Sequence, residues 1–378
     1  MTQDKTNKTL NVPPLRFPGF TDEWKKTTLG EIAISISAGK SGNPNEDGKY
    51  DLYGSTGKIG RTNNGDYEGE KILVARVGAN AGKINYNDVK CGITDNTLIV
   101  QPNGVSTKYI YYHLIHSNLN RLVFGSGQPL ITGGMLKKLI LNVPSIPESE
   151  RIVKLLESID LRITTQHKII DNLQSLIKGL AKTHYNSCPT LDSVKIKELG
   201  EPYTVMNLSK EQLSDSGLPC ILYGELFTQY GPVIEDVISK TNLTGKLTLS
   251  KGSDLLFPSS TTVDALSLIA PSALTKTNII LGGDMFGIKV SDDYSPEYLS
   301  LYFNYIGQRD LAKYAIGSTI VHLHYKDIAE HIIRIPSIGE QQRFVKLASF
   351  VKRKIDIEQK LLHNLITLKF HLLQELFI

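Results

Sequence analysis

The sequence predicts an α+β protein: two mixed α/β, strand-rich units joined by two long helices that pair as an antiparallel coiled coil, on a pseudo-twofold plan. Three observations predict it. First, the stretch Val143-Pro144-Ser145-Ile146-Pro147-Glu148-Ser149-Glu150-Arg151-Ile152 returns 192 residues on as Ile335-Pro336-Ser337-Ile338-Gly339-Glu340-Gln341-Gln342-Arg343-Phe344. Second, each copy closes a region of short apolar runs and opens a heptad-spaced one. Third, the regions before the two copies share landmarks. Leu29-Gly30-Glu31 matches Leu199-Gly200-Glu201 and Leu52-Tyr53-Gly54 matches Leu222-Tyr223-Gly224, both 170 apart, whereas Gly125-Ser126 matches Gly317-Ser318 at 192. The excess of 22 falls between Gly54 and Gly125, so the second unit carries insertions inside a shared frame.

Residues 1–13 read as a flexible polar arm without the apolar core of a signal peptide. Residues 14–143 form the first unit. Its apolar runs Lys71–Val77 and Thr97–Val100 are punctuated by Ser41-Gly42-Asn43-Pro44-Asn45 and Asn63-Asn64-Gly65-Asp66, the pattern of strands joined by exposed turns. A helical stretch over 109–122 makes the unit mixed. Residues 144–187 form the first long helix, whose start suits Pro144 and Pro147. Its seam is Ile152, Leu156, Ile159, Ile163, Gln166, Ile170, Leu173, Ile177 and Leu180, in alternating steps of four and three. That spacing specifies a left-handed coiled coil.

Residues 188–335 repeat the strand-rich unit, and residues 336–378 repeat the helix with the seam Phe344, Ala348, Val351, Ile355, Glu358, Leu362, Leu365, Lys369 and Leu372. Gly339 replaces the proline of the first copy. Lys369 is a flaw in the seam that Leu368 is placed to cover. Each helix, at about 35 residues, is roughly 50 Å long. Gln166 and Glu358 fall at the same seam position, the midpoint of each. In an antiparallel pair they face each other and fix register; the alternative is that each tips toward solvent.

Composition bounds the function class. A chain of 378 residues with 40% hydrophobic and 21% charged residues fits two ordinary globular domains. No apolar run reaches the roughly 18 residues of a membrane span, and the chain reads as cytoplasmic. Cys91, Cys188 and Cys220 are scattered and make neither a disulfide framework nor a zinc motif. A net charge of +4 permits nucleic-acid binding, with partner subunits supplying part of the phosphate contact.

Catalytic motifs are missing from the sequence. Ala38-Gly39-Lys40-Ser41 ends like a phosphate-binding loop, but Ile34 stands where its first glycine belongs. Glu23-Trp24-Lys25 and Glu358-Gln359-Lys360 lack the Pro-Asp that would complete a nuclease metal site. Asn11-Val12-Pro13-Pro14 is not the Asn/Asp-Pro-Pro-aromatic tetrad of an amino-methyltransferase. His322 and His324 have no sequence neighbours that would complete a metal site. No catalytic, cofactor-binding or metal residue is therefore assigned.

Binding candidates are better represented. In the first unit Lys40, Ser41, Lys58, Arg61, Arg76, Asn80, Lys83, Ser126 and Gln128 lie on turn segments. Arg and Lys read guanine edges, Asn and Gln read adenine, and Ser and Lys suit phosphates. Arg76 ends an apolar strand and leads into a loop with Gly78 and Gly82, able to approach a backbone closely. The corresponding segment of the second unit, Ser259, Ser260, Thr261 and Thr262, has no basic residue. A later one offers Ser318, Thr319, His322, His324 and Lys326. The two units are expected to read different sequences.

Taken together, these features resemble the specificity subunit of type I restriction-modification systems. The resemblance rests on the opening Pro14-Leu15-Arg16-Phe17-Pro18-Gly19-Phe20 with Trp24, on the duplicated Pro-Ser-Ile-x-Glu-x-x-Arg segment, and on the heptad helices. It runs from about Pro14 to the end of the sequence. It implies that each unit is a target recognition domain reading one half of an asymmetric bipartite site in double-stranded DNA, and that the helices set the spacing between halves. It implies two modification subunits that methylate adenine with S-adenosylmethionine, and restriction subunits that use ATP and magnesium. The chain itself is then non-catalytic and without a cofactor. The competing readings are a hidden nuclease or methyltransferase, and a duplicated adaptor binding protein or sugar.

Overall fold

The computed structural model describes residues 11–123, 129–206 and 208–378. They divide into two compact units: unit 1 is residues 1–167 with 360–378, and unit 2 is residues 168–359. The division falls in the middle of both long helices, because each half-helix buries its apolar face against a different strand-rich unit.

Unit 1 contains β1 (Lys25–Thr28), α1 (Leu29–Ile32), β2 (Ala33–Ala38), β3 (Tyr50–Gly54), β4 (Gly57–Thr62), β5 (Lys71–Ala75), β6 (Ile84–Asn87), β7 (Cys91–Ile93), β8 (Thr97–Pro102), α2 (Thr107–His116), α3 (Gly133–Lys137), β9 (Ile140–Val143) and the first half of α4 (Ile146–Ser187). One antiparallel sheet has the order β2-β8-β5-β6 and a second the order β4-β3-β7, while β1 pairs with β9. Every residue of β5 is buried, so this strand is a continuous apolar run rather than a half-exposed one. Alternate residues serve different faces. Ile72 and Val74 join Tyr109, Ile110, Leu114, Ile152, Leu156 and the C-terminal Leu373, Leu376 and Phe377 in the main core. Leu73 and Ile99 pack instead with Cys91 and Ile93. The helix expected over 109–122 is α2, capped by Ser106 (Tyr109 N to Oγ, 3.2 Å), followed by a 3-10 turn over Leu119–Leu122.

Unit 2 contains the rest of α4, then β10 (Asp192–Lys195), β11 (Gly200–Thr204), β12 (Leu213–Ser214), β13 (Leu218–Leu222), α5 (Glu225–Thr228), β14 (Val233–Ile234), β15 (Lys240–Thr241), β16 (Thr248–Lys251), β17 (Asp254–Pro258), β18 (Ser260–Thr261), α6 (Ala265–Leu268), β19 (Ser272–Leu274), β20 (Thr277–Gly282), β21 (Met285–Val290), α7 (Pro296–Tyr305), α8 (Gln308–Ala312), β22 (Val321–His322), α9 (Tyr325–Ile328), β23 (Ile332–Ile335) and the first half of α10 (Ile338–Glu375). The main sheet, β11-β21-β17-β19-β14, repeats the plan of unit 1 with fully buried β17 in the place of β5. Parallel pairing of β13 with β20 repeats that of β3 with β7.

Strand register corrects one landmark. Lys25 pairs with Val143 and Asp192 with Ile335, so the first strands of the two units correspond at a spacing of 167. Leu29 N donates to Leu139 O and Ile196 N to His331 O. The carboxylates of Glu31 and Glu198 accept from the amides of Thr28 and Lys195, at 3.0 and 2.9 Å. Glu31 therefore answers to Glu198, and the Leu-Gly-Glu match is three residues out of register. The Leu52–Leu222 match stands: Leu52 pairs with Gly92 and Leu222 with Gly282.

Both long helices are continuous, over 42 and 38 residues. In unit 1, Ile152 and Leu156 share a core with Leu373 and Phe377, and Asp160 meets Lys369 at 2.5 Å. In unit 2, the His184 ring stacks on Phe344 at 4.9 Å. Rising numbers in α4 thus meet falling numbers in α10, and each unit has the expected antiparallel pairing. Gln166 and Glu358 are buried, 5% and 7% exposed, so neither tips out to solvent; Glu358 pairs with Lys354 one turn earlier. Lys369 is not covered by Leu368, which is 46% exposed; its charge is satisfied by Asp160, and it lies over the Tyr112 ring.

The arm expected over residues 1–13 falls mostly outside the described residues. Its end is fastened: the Asn11 amide donates to Trp24 O (2.7 Å) and Asn142 Oδ1 (3.0 Å), and Pro13 is buried. No helix among the described residues is long and apolar enough to cross a membrane.

Candidate nucleic-acid interface

In both units the chain leaves the buried central strand and meets a later segment in the same way. In unit 1, Ile131 N donates to Arg76 O (2.8 Å) and Gly78 N to Pro129 O (3.0 Å). In unit 2, Leu323 N donates to Ser259 O (2.9 Å), and β18 pairs with β22. Ile131 and Leu323 are 192 apart, so the scaffold is shared, but the side chains it presents differ.

Arg76 is half-buried at the end of β5, its amide bound to Asn96 O at 2.9 Å. Its guanidinium lies 3.5 Å from Asp95 O, a weak contact that leaves donors free. The turn after it is built by glycine. Gly78 has φ +76°, and Gly82, at φ +90°, lies where a Cβ would come within 2.7 Å of Asn120 Oδ1. Asn80 and the exposed Lys83 sit on this turn, closed by Lys83 N to Asn80 O at 2.9 Å. A cleft of about 480 Å³ is lined by Lys40, Ser41, Asn43, Thr94, Asp95 and Asn96 among others. Arg76 contacts the carbonyls of Asp95 and Asn96, so Lys40, Ser41 and Arg76 converge on one turn.

Other candidates are engaged within the fold. Ser41 Oγ donates to Asp66 (2.6 Å) and accepts from Ile93 N (3.0 Å), which leaves it a structural hydroxyl. Lys58 pairs with Asp51 at 2.9 Å, while exposed Arg61 reaches only Lys49 O at 3.4 Å. Ser126 and Gln128 lie outside the described residues. Gly39, half of the apparent phosphate-loop ending, is explained by packing: a Cβ there would lie 2.3 Å from Ile93 O. No helix follows Ser41, so its surroundings are not those of a phosphate-binding loop.

In unit 2, Ser259 and Ser260 are buried, 6% and 8% exposed, because they continue the central strand into the pairing with β22; they are not the exposed loop residues that the sequence suggested. Thr262 is exposed and Thr261 half-buried, its hydroxyl accepting from Val263 N. A hairpin closes opposite them through Ile316 N to His322 O (2.9 Å) and His322 N to Ile316 O (2.8 Å). Its turn carries exposed Ser318 and Thr319. His322 and His324 stack, ring centroids 6.2 Å apart, and both are exposed. His324 also caps α9, which carries Lys326. The strand pair thus joins Thr261 and Thr262 to the hairpin segment some 60 residues later.

A different group of potential metal donors, His184, Cys188 and Glu340, lies at the helix ends in unit 2. Nδ1 of His184 is 4.0 Å from the Cys188 sulfur, and its Nε2 is 3.6 Å from Glu340. The ring turns different nitrogens to its two neighbours rather than offering one to a shared ion. Burial pushes the Cys188 thiol up, and it donates to His184 O at 3.2 Å.

The sequence model of the Type I restriction modification DNA specificity domain matches residues 21–175 and again 189–366. The chain belongs to this DNA specificity family. Each of the two matches ends inside one of the long helices. Among curated proteins, the type I restriction enzyme EcoprrI specificity subunit of Escherichia coli is 29% identical over 146 residues, which is 36% of the length of each protein. A crystal structure of a type I restriction-modification S subunit from M. genitalium superposes with a TM-score of 0.62 at 17% identity, covering 97% of this chain and 99% of that one. A chain from a study of complex assembly and conformational transition in the type I R-M system gives 0.56 at 13% identity, covering 96% and 98%. At those identities the superpositions speak for the fold alone, and the duplicated specificity fold extends along nearly the whole chain.

Proposed function

We propose that this specificity chain reads an asymmetric bipartite site in double-stranded DNA, unit 1 one half and unit 2 the other, with the paired helices setting the gap. The observation that carries this is the shared strand-end scaffold holding unlike side chains: Arg76, Asn80 and Lys83 in one unit, Thr262, Ser318, Thr319 and His322 in the other. Phosphate contacts position such a protein and base contacts specify sequence. In this reading Lys40, Lys58, Arg61, Lys83 and Lys326 position, while Arg76, Asn80, Thr261, Thr262, His322 and His324 face bases. Ser41, Ser259 and Ser260 hold the scaffold.

The chain is non-catalytic in this reading and works in the cytoplasm. Two modification subunits bring S-adenosylmethionine and flip the adenine they methylate. Restriction subunits bring ATP and magnesium. Mapping adenine methylation by long-read sequencing, in cells carrying a modification subunit with and without this chain, tests the proposal. A new gapped, asymmetric motif is expected. An assembled complex that produces no motif would refute it. Arg76→Ala should cost roughly 1–3 kcal/mol of discrimination at one half-site only. Equal loss at both halves would make Arg76 a structural residue.

A further inference from the structure

We infer that the tip of unit 2 recognises thymine methyl groups, so that its half-site is thymine-containing and is read largely by aliphatic contact. The inference rests on the DNA-reading role proposed above. Three β-branched aliphatic side chains stand out from this tip: Ile316 is 72% exposed, Val263 70% and Ile320 47%. Single exposed apolar residues are ordinary. These three flank the paired segments that carry Thr261, Thr262, Ser318, Thr319 and His322.

The charge pattern narrows the ligand. Segments 259–264 and 316–324 contain no lysine or arginine. Their one carboxylate, Asp264, is engaged as a helix cap by Ser267 N at 2.7 Å. These segments therefore lack the forked cation that reads guanine, and the ammonium that positions phosphate in this unit, Lys326, lies just beyond them on α9. In the major groove, the apolar group on a base edge is the thymine methyl. The hydroxyls and imidazoles beside the aliphatics can serve the polar edges of the same base pairs.

The hairpin is also rigid enough to place a methyl contact. Gly317 has φ +135°, and a Cβ there would fall 1.9 Å from Ile320 O, so the turn is closed on itself. Two backbone bonds between Ile316 and His322 lock its base. A contact offered from fixed backbone loses little ordering entropy on binding. Unit 1 offers Arg76 and Lys83 on the corresponding scaffold, so its half-site should not share this dependence.

Replacing thymine by deoxyuridine removes the methyl and leaves base pairing intact. The complex with its modification subunits, bound to duplexes of the mapped site, is measured with deoxyuridine placed in one half-site or the other. One half is expected to weaken roughly fourfold per contacted methyl, the other to be indifferent. The variant carrying Val263→Ala, Ile316→Ala and Ile320→Ala together, all at exposed positions, should bind thymine and deoxyuridine duplexes alike. Specific binding with deoxyuridine tolerated in both halves overturns the inference while leaving DNA reading intact. So does a mapped motif without thymine, or a variant that still discriminates. Absence of any sequence-specific binding by the assembled complex would instead refute the DNA-reading role itself.

Discussion

His113 shows how the scaffold of unit 1 constrains a titratable group. It is 2% exposed, with Nε2 accepting from Asn142 N (3.3 Å) and Nδ1 facing Ser117 Oγ (3.3 Å), so only the neutral ring fits its partners. Tyr109, His116 and Phe377 surround it. Burial, aided by neighbouring His116, pushes its pKa down to about 4. In the unfolded chain the value is near 6.5, so between roughly pH 6.5 and 4 the unfolded state binds a proton that the fold excludes. Stability is therefore full above that window and falls as pH drops through it, by about 3 kcal/mol in total. Trp24 is the chain's single tryptophan and is buried in unit 1, so its fluorescence follows urea unfolding of that unit at pH 7 and 4.5. His113→Gln should flatten the acid dependence; an unchanged slope would place the cause elsewhere. Glu148 makes a second residue-scale case. It is 1% exposed and accepts from Arg16 Nε (2.6 Å), Arg16 Nη2 (2.9 Å) and Trp24 Nε1 (3.2 Å). Glu148→Ala leaves that guanidinium without its carboxylate and should cost unit 1 about 3–5 kcal/mol, read from the same unfolding midpoint.

At the scale of elements, periodicity carried the helices and pairing carried everything else. The seam from Ile152 to Leu180 was legible because burial repeats with the heptad, and all nine of its residues are buried or half-buried. Lys369 was not, because its partner Asp160 is some 200 residues away and no local pattern joins them. Lys369→Glu sets two carboxylates together where a 2.5 Å ion pair stood. With both groups partly exposed, the loss should be about 1–2 kcal/mol and should shrink with added salt. Lys369→Leu should be nearly neutral, since Asp160 still accepts from Tyr112 Oη at 2.8 Å. A large loss in Lys369→Leu would show the ion pair to be a register device. The Leu-Gly-Glu mismatch has the same origin as the missed ion pair. Three matching letters were locally persuasive, but register follows the β1–β9 and β10–β23 ladders and the carboxylate caps of Glu31 and Glu198. Burial of Ser259 and Ser260 was likewise hidden, since only their pairing with residues near His322 removes them from the surface.

For the molecule as a whole, the informative fact is that the units do not divide where the sequence repeat does: unit 1 is two separate pieces of chain, and unit 2 is one piece running from the middle of α4 to that of α10. Residues 360–378 complete unit 1, and residues 168–187 complete unit 2, so each helix belongs half to one reader and half to the other. Such sharing makes helix length a property of both units at once, which is why a spacing role can be tested by changing length alone. Deleting residues 163–169 and 355–361 removes the same heptad from both repeats and keeps the seam in phase, Gln166 and Glu358 leaving together. Each helix shortens by about 10 Å, roughly three base pairs of duplex. The methylated motif of the deletion variant, mapped as for the parent chain, should keep both half-site sequences because the strand-end scaffolds are untouched. Its gap should shorten by about three base pairs. An unaltered gap from a folded variant would mean that spacing is set by the partner subunits, and that the helices serve only to complete the two cores.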